Sequence, residues 1–532
     1  MSIRSKISVF AEAPTDEAKS KRFSLGALLS LAGMSLGGLF LAGWTVVMTR
    51  LLGPADFGIL GPIFQSYWVL TLIAIAGIHM AVTTYVAHHW EKERDRARDF
   101  GSDGNKLVFI IGICLLVSSS VLLGGLFFIG IIPGIIAAIG ASLTLAIFTT
   151  AQFWSVTQIL LGMQRTDYFS VGHFSFPFTA LLSSTLFVIL AQWRWGAESQ
   201  MDIAGGILGL AVGGVLAWAL ARHLLRKADI EMFKSLYGFK KRAGLYKKIV
   251  KFGAMTNLAH IGYTLLNTIP MVLVGLFAAR GVFALTHEEN LIVSGHFSAA
   301  FLYGSGALAL MGMTFPIISA MSEAEAQGRK DLVQHYLDKI LWASFAILGG
   351  VLIFYFFAGG KMVEFLAGEE FPAELLHPMV VLAALGITFT GLNFVLFNSY
   401  IGLKKVNYSA MAMIAGVVLQ AIAITAAIRI YGDIIIVGRF FLGASMLTFL
   451  ITAYFLHPLK LKIVPLFIIV PAGCALLASV ITQRFFPLQE MPEIWVIPPF
   501  IFQIAALLIM YAVLFLAMDK VFLKKYVEIV TI

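Results

Sequence analysis

Away from its polar loops, this sequence has few side chains able to carry charge, and the sharpest are arginines and histidines rather than acids. Arg439 falls inside an apolar run. A charge there is costly, so it marks either a water-filled cavity or a side chain reaching back to the headgroups. Arg50, Arg280 and Arg429 each close another apolar run. A guanidinium is a planar fork that donates two hydrogen bonds to a phosphate, so these four together would make an anion-binding mouth. Interface anchoring accounts for each of them alone. His79 and His260 lie deeper, and imidazole titrates near neutrality, so each is either proton-sensitive or a satisfied core histidine. Asn257, Asn267, Asn393, Asn398 and Gln420 add uncharged amides, which either line a polar cavity suited to a sugar or bond between helices.

Other chemistries are excluded. The sequence has no P-loop and no H-E-x-x-H, and its adjacent His88 and His89 do not share a helical face. Aspartates and glutamates fall almost wholly in loops, against a two-carboxylate glycosidase site. The two cysteines, Cys114 and Cys474, sit inside apolar runs and make neither a disulfide framework nor a metal cluster. No catalytic residue, cofactor or metal site is expected, and the chain is not expected to be an enzyme. The net charge of +9 resides between apolar runs, which argues for membrane orientation and against nucleic acid.

The elements that must position these residues are apolar. The chain of 532 residues is 59% hydrophobic and only 13% charged, about half the charge of a soluble domain. Charge-free runs of about 20 residues read as membrane spans. The expected spans are Phe23–Thr49, Gly58–His88, two within Leu107–Gln164, Gly172–Ala191, Ala204–Ala221, Phe252–Ala279, Leu291–Ala320, Ile340–Ala358, Leu375–Leu403, Tyr408–Ile428, Ile434–Leu456, Ile463–Thr482 and Trp495–Met518. The third and fourth spans are divided at Gly130–Gly134, where glycine and Pro133 punctuate the run. The expected fold is an all-α polytopic membrane protein with 14 transmembrane helices. Residues 23–221 and 252–456 form two six-helix bundles around a central cavity, joined by the basic linker 222–251. Residues 457–518 hold two further helices, and 1–22 and 519–532 are polar ends. Of the 38 Lys and Arg, 31 fall on one side of this topology, which places both termini in the cytoplasm. Within the linker, Ile230, Phe233 and Tyr237 share one face of a candidate interfacial helix.

Residues 161–168 read LGMQRTDY and residues 401–408 read IGLKKVNY, an offset of 240 that follows the fourth span and then the tenth. Two related bundles in parallel orientation would explain it.

The stretch Arg50-Leu51-Leu52-Gly53-Pro54-Ala55-Asp56-Phe57-Gly58, with Gly162 and Tyr168 and again Gly402 and Tyr408, resembles the polysaccharide-export flippases. These belong to the multidrug/oligosaccharidyl-lipid/polysaccharide transporter superfamily. The resemblance implies a V-shaped pair of bundles that carries a polyprenyl-(pyro)phosphate-linked oligosaccharide from the cytoplasmic to the outer leaflet of a prokaryotic inner membrane. It implies coupling to Na+ or H+, or none. Partners would be the lipid-linked oligosaccharide, membrane lipids and polysaccharide synthesis or export proteins, with a monomer sufficient. The last two spans would form a side groove for the lipid tail. The chain departs from relatives in having no acid in its first span and no central arginine in its first half.

Overall fold

Apolar runs without a polar face fold into long helices, and glycine and proline decide where each one bends or stops. The computed structural model describes residues 16–90, 93–196, 199–237, 243–284, 286–305, 314, 317–318, 321, 324–325, 328–463, 470–475, 477–478, 481 and 499–522. Its helices are α1 (Asp16–Ile75), α2 (Ile78–Trp90), α3 (Arg94–Phe128), α4 (Gly134–Gly162), α5 (Thr166–Trp195), α6 (Met201–Ala228) and α7 (Ile230–Ser235). They continue as α8 (Ala243–Ala278), α9 (His287–Gly304), α10 (Lys330–Ala367), α11 (Ala373–Gly402), α12 (Val406–Tyr431), α13 (Ile434–Tyr454) and α14 (Pro499–Phe522). No strand occurs among the described residues, and ten of the helices are long and apolar enough to cross a membrane. Residues 464–469, 476, 479–480 and 482 of the expected span at Ile463–Thr482, and 306–313, 315–316 and 319–320 of the one ending at Ala320, lie outside the described residues.

The helices pack in two groups. Helices α1 to α6 make the first, α8 to α13 the second, and α14 packs on α10. Gly53, at φ 69°, breaks α1 into two helical segments, and Pro54 then starts the second with its φ already fixed. The expected division at Gly130–Gly134 is present, with Gly130 at φ 73° and Pro133 as the N-cap of α4. Small residues let helices approach closely. Ser183, Ser184 and Thr179 of α5 donate to the carbonyls of Gly209, Gly206 and Gly213 of α6 at 2.6–2.8 Å. Such hydrogen bonds stabilise membrane helix pairs by about 0.6 kcal/mol each.

The 240-residue repeat extends to the backbone. Helices α4 and α11 end at Gly162 and Gly402, and α5 and α12 begin at Thr166 and Val406. Gln164 and Lys404 are both left-handed, at φ 59° and 56°. Arg165 N donates to Leu160 O and Lys405 N to Tyr400 O, so the two turns have the same hydrogen bonds. Their side chains differ. Arg165 forks onto Asp167 at 2.7 Å and lies over the Tyr168 ring, and the bonded carboxylate raises the guanidinium pKa. The second copy has Lys405 and Asn407 and no such ion pair.

The linker holds the short helix α7. Met232 is its buried residue, packed against Gly101, whereas Ile230 and Tyr237 point outward. Arg222 of α6 lies over the rings of Trp218, Phe233 and Tyr237. Asp229 caps α7 at Met232 N, and its two oxygens accept from Arg98 Nη2 at 3.0 and 3.3 Å.

Candidate functional site: a polar seam between the bundles

The bundles meet where glycines remove the side chains that would hold them apart. At the Arg50 end, a methyl on Gly58 would overlap the carbonyl of Leu291, and one on Gly295 would overlap the carbonyl of Pro54. Ser294 of α9 donates to Gly58 O at 2.9 Å across the same crossing. Nearer the basic end, Gly77 lies against the carbonyl of Gly253 and the Cβ of Asn257. Here Ala76 and Gly77 are both left-handed, at φ 51° and 69°, so the second span is interrupted and restarts as α2 at Ile78. Discontinuous spans place helix ends inside the membrane, where ligands are bound in many transporters.

His79 stands in the first turn of α2. Its ring faces that of His260 on α8, with centroids 5.6 Å apart. The relative exposures are 0% and 9%, so both rings are in the seam and not on the lipid face. Aromatic rings extend the contact into each bundle. Trp154 lies 6.3 Å from His79 and 5.4 Å from His173; Phe397, Phe394 and Tyr263 lie 5.7, 6.4 and 6.4 Å from His260. Both nitrogens of His79 and Nδ1 of His260 lack a hydrogen-bond partner, as does the amide oxygen of Asn257. A buried polar group left unmet costs about 1–3 kcal/mol, so these atoms are the ones a polar ligand, water or proton would meet at the seam.

The structure brings together only some of the expected residues. His79, His260 and Asn257 meet at the seam. Asn267 is tied into the second bundle, accepting from Thr390 at 2.9 Å and donating to Tyr263 O. Asn398 donates to Thr314 at 2.8 Å, while Asn393 and Gln420 are fully buried with both amide atoms unmet. The first bundle adds amides that the sequence reading missed. Gln158 accepts from Thr83 at 2.7 Å with its Nε2 unmet, and Gln152 is unmet at both atoms. Gln158 stands 240 residues before Asn398, so the repeat itself was the signal that could have found it.

The four arginines do not form one anion-binding mouth. Arg439 is exposed on the stripe of α13 that continues through Gly443, Met446, Leu447, Leu450 and Tyr454, all exposed. That is the lipid-facing side of the helix, so the guanidinium reaches for headgroups rather than for a cavity. Arg50 is spent on the last turn of α10, donating to Leu366 O at 2.6 Å and Phe365 O at 2.8 Å. Its position there suits the negative end of the helix dipole. This fork fastens the two bundles at this end, while His296 Nε2, bonded to Glu370 O at 3.0 Å, ties α9 to the turn after α10 within the second bundle. Arg429 lies over Phe277, and Arg280 is exposed just beyond α8.

A separate apolar recess of about 480 Å³ lies between α10 and α14, lined by Val351, Phe354, Tyr511 and Phe515 among others. The resemblance set the lipid groove between the last two spans; the recess is bounded by the ninth and the last.

Two bundles of long apolar helices meeting at a polar seam define a multi-pass membrane protein fold. The same fold occurs in a MATE protein solved in complex with MaD3S, at 15% identity and TM-score 0.62 over 83% of this chain and 97% of that one. A MOP superfamily transporter from Pyrococcus furiosus, described as having a binding pocket of reverse polarity, matches at 15% identity and TM-score 0.61, over 83% and 96%. The lipid II flippase MurJ in an inward closed conformation matches at 13% identity and TM-score 0.60, over 94% and 99%. No curated protein sequence matches the chain. Residues 26–321 match the family model described as polysaccharide biosynthesis protein, and the chain belongs to that family.

Proposed function

We propose that this protein is a flippase for a polyprenyl-(pyro)phosphate-linked oligosaccharide, working from the cytoplasmic to the outer leaflet of a prokaryotic inner membrane. The observation that carries the reading is the seam. In a polysaccharide biosynthesis family member, a broken span sets unmet imidazoles and amides among aromatic rings between two bundles. Rings suit the apolar faces of sugars, and amides suit their hydroxyls. The basic end is then cytoplasmic, with fourteen spans and both termini inside. No covalent chemistry is needed, and one chain suffices because it holds both halves. An ion gradient or removal of product outside supplies the direction.

The fold is equally that of multidrug exporters, which favours a second reading as a drug–cation antiporter. A cation-coupled exporter calls for a carboxylate at the seam. The buried acids Asp103 and Asp202 are instead held within the first bundle by Lys106 and Gln192. The test is protein-dependent flipping of fluorescent polyprenyl-diphosphate oligosaccharides in proteoliposomes, under proton, sodium and no gradient. Flipping of these lipids supports the proposal. Lipids that stay put while a soluble drug moves against a cation gradient would establish the antiporter.

A further inference from the structure

The arginines leave a question of countercharge. A diphosphate headgroup crossing between the bundles needs positive charge at the seam, because an unpaired charge inside a membrane is costly. Arg439 faces lipid, Arg50 holds the end of α10, and Arg280 and Arg429 stand at the far end of the second bundle. His79 and His260 remain. They come from opposite bundles, face each other at 5.6 Å, and are at least nine-tenths buried with three ring nitrogens unmet. His79 also stands in the first turn of the 13-residue α2, where a helix presents its positive end. Asn257 completes the wall beside Gly77 with its amide oxygen unmet.

We infer that His79, His260 and the start of α2 form a diphosphate seat that becomes cationic only on protonation, so that a proton and the anionic headgroup enter the seam together. The inference rests on the flippase reading. In the closed seam the two rings occupy each other's space. When the bundles part, each protonated ring gains a free N–H directed between them, and a phosphate oxygen accepts both. Two protonated rings with no anion between them repel, so an acidic seam without ligand favours separation. The groups that bear on the pair are few. From α4 the neighbour is Trp154, with His173 of α5 beyond it; from α8 it is Tyr263; from α11 they are Phe394 and Phe397. Among the described residues, the charge that bears on His79 is that of His260 itself. Tyr85 and Lys251 stand farther along α2 and α8 toward the basic end.

The sign of the pH dependence discriminates this seat from an arginine site. Acidification removes negative charge from a diphosphate, which weakens its binding to a fixed guanidinium. A histidine seat gains charge over the same range and binds more tightly. The experiment is equilibrium dialysis of labelled farnesyl diphosphate against the full-length protein in detergent at pH 5.5 and pH 8. Inorganic pyrophosphate serves as a second probe to separate a lipid headgroup from a free anion. We expect binding at least tenfold tighter at the lower pH for the wild type. The slope should be lost or reversed in His79→Gln/His260→Gln and retained in Arg50→Gln. Binding of farnesyl diphosphate but not pyrophosphate supports a seat that takes a lipid headgroup; binding of both supports a general diphosphate seat. Weaker wild-type binding on acidification, no binding of either probe, or an unchanged slope in the double variant would each overturn the seat. The wild-type slope needs no variant, so a misfolded variant does not spare the idea. If the wild type flips lipid-linked oligosaccharide yet lacks the slope, the seat fails and the flippase reading stands.

Discussion

Gly77→Ala should unlatch the seam at the basic end, and two separate costs can be worked from the structure. The first is backbone strain. Gly77 has φ 69°, where an alanine pays about 1–2 kcal/mol. That cost falls on every state in which the break persists, so it lowers stability without shifting the gate. The second is steric. The new methyl would overlap the Gly253 carbonyl oxygen and lie 2.6 Å from Asn257 Cβ. Both partners belong to the other bundle, so this cost exists only while the seam is closed. Overpacking of this kind costs about 1–3 kcal/mol. As a bias between closed and open states, that is a shift of about 5- to 150-fold. Gly281→Ala is the matched control, with φ 71° and nothing within 4 Å of the added methyl. The assay is labelling of Thr256→Cys by a membrane-impermeant maleimide in inside-out vesicles, with Cys114 and Cys474 replaced. Thr256 is buried one turn beyond Gly253, so its labelling rate follows opening of the seam. If Gly77→Ala labels no faster than Gly281→Ala, the contact between Gly77 and Gly253 is not a gate.

Other residues give sharper or milder effects. Arg439→Ala should leave initial flipping rates within about twofold of wild type, because the side chain faces lipid; a tenfold loss in proteoliposomes would return it to the transport path. Arg50→Gln removes the fork onto Phe365 O and Leu366 O; being exposed, it should cost about 1 kcal/mol and raise impermeant labelling of a cysteine at Ser298 about fivefold. Unchanged labelling would show that the Arg50 fork does not hold the bundles together at that end. Thr390→Val leaves the buried Asn267 carbonyl without its donor and should destabilise the second bundle by about 1–3 kcal/mol, read as a lower melting temperature in detergent.

What the sequence made legible follows from what spacing can encode. The break between the third and fourth spans was readable because Gly130 and Pro133 act locally, through φ and a missing donor. The LGMQRTDY and IGLKKVNY turns were readable because both copies need the same left-handed residue before the next helix, and they have it at Gln164 and Lys404. The interruption at Ala76–Gly77 was not readable. A lone glycine in an apolar run is compatible with an unbroken helix, and the neighbour that favours the break, Gly253, is 176 positions away.

The arginines and histidines show the same limit from the side of function. In a helix that is apolar all round, the lipid face and the buried face carry the same residue types, so no periodicity says which way Arg439 points. The neighbours decide it, and they are α11 and α12, whose packing no local pattern in α13 encodes. His79 and His260 presented the opposite case, since their depth was legible but their meeting was not. The encounter requires the Gly77 break, which starts α2 afresh, and the close approach at Gly253, which removes the side chains between the bundles. The two glycines and the two histidines therefore form one device. The glycines bring the bundles into contact, and the imidazoles face each other within it. A seam closed by well-satisfied apolar packing would have no reason to open for a sugar-bearing headgroup. This one places ring nitrogens without hydrogen-bond partners at the contact between the bundles.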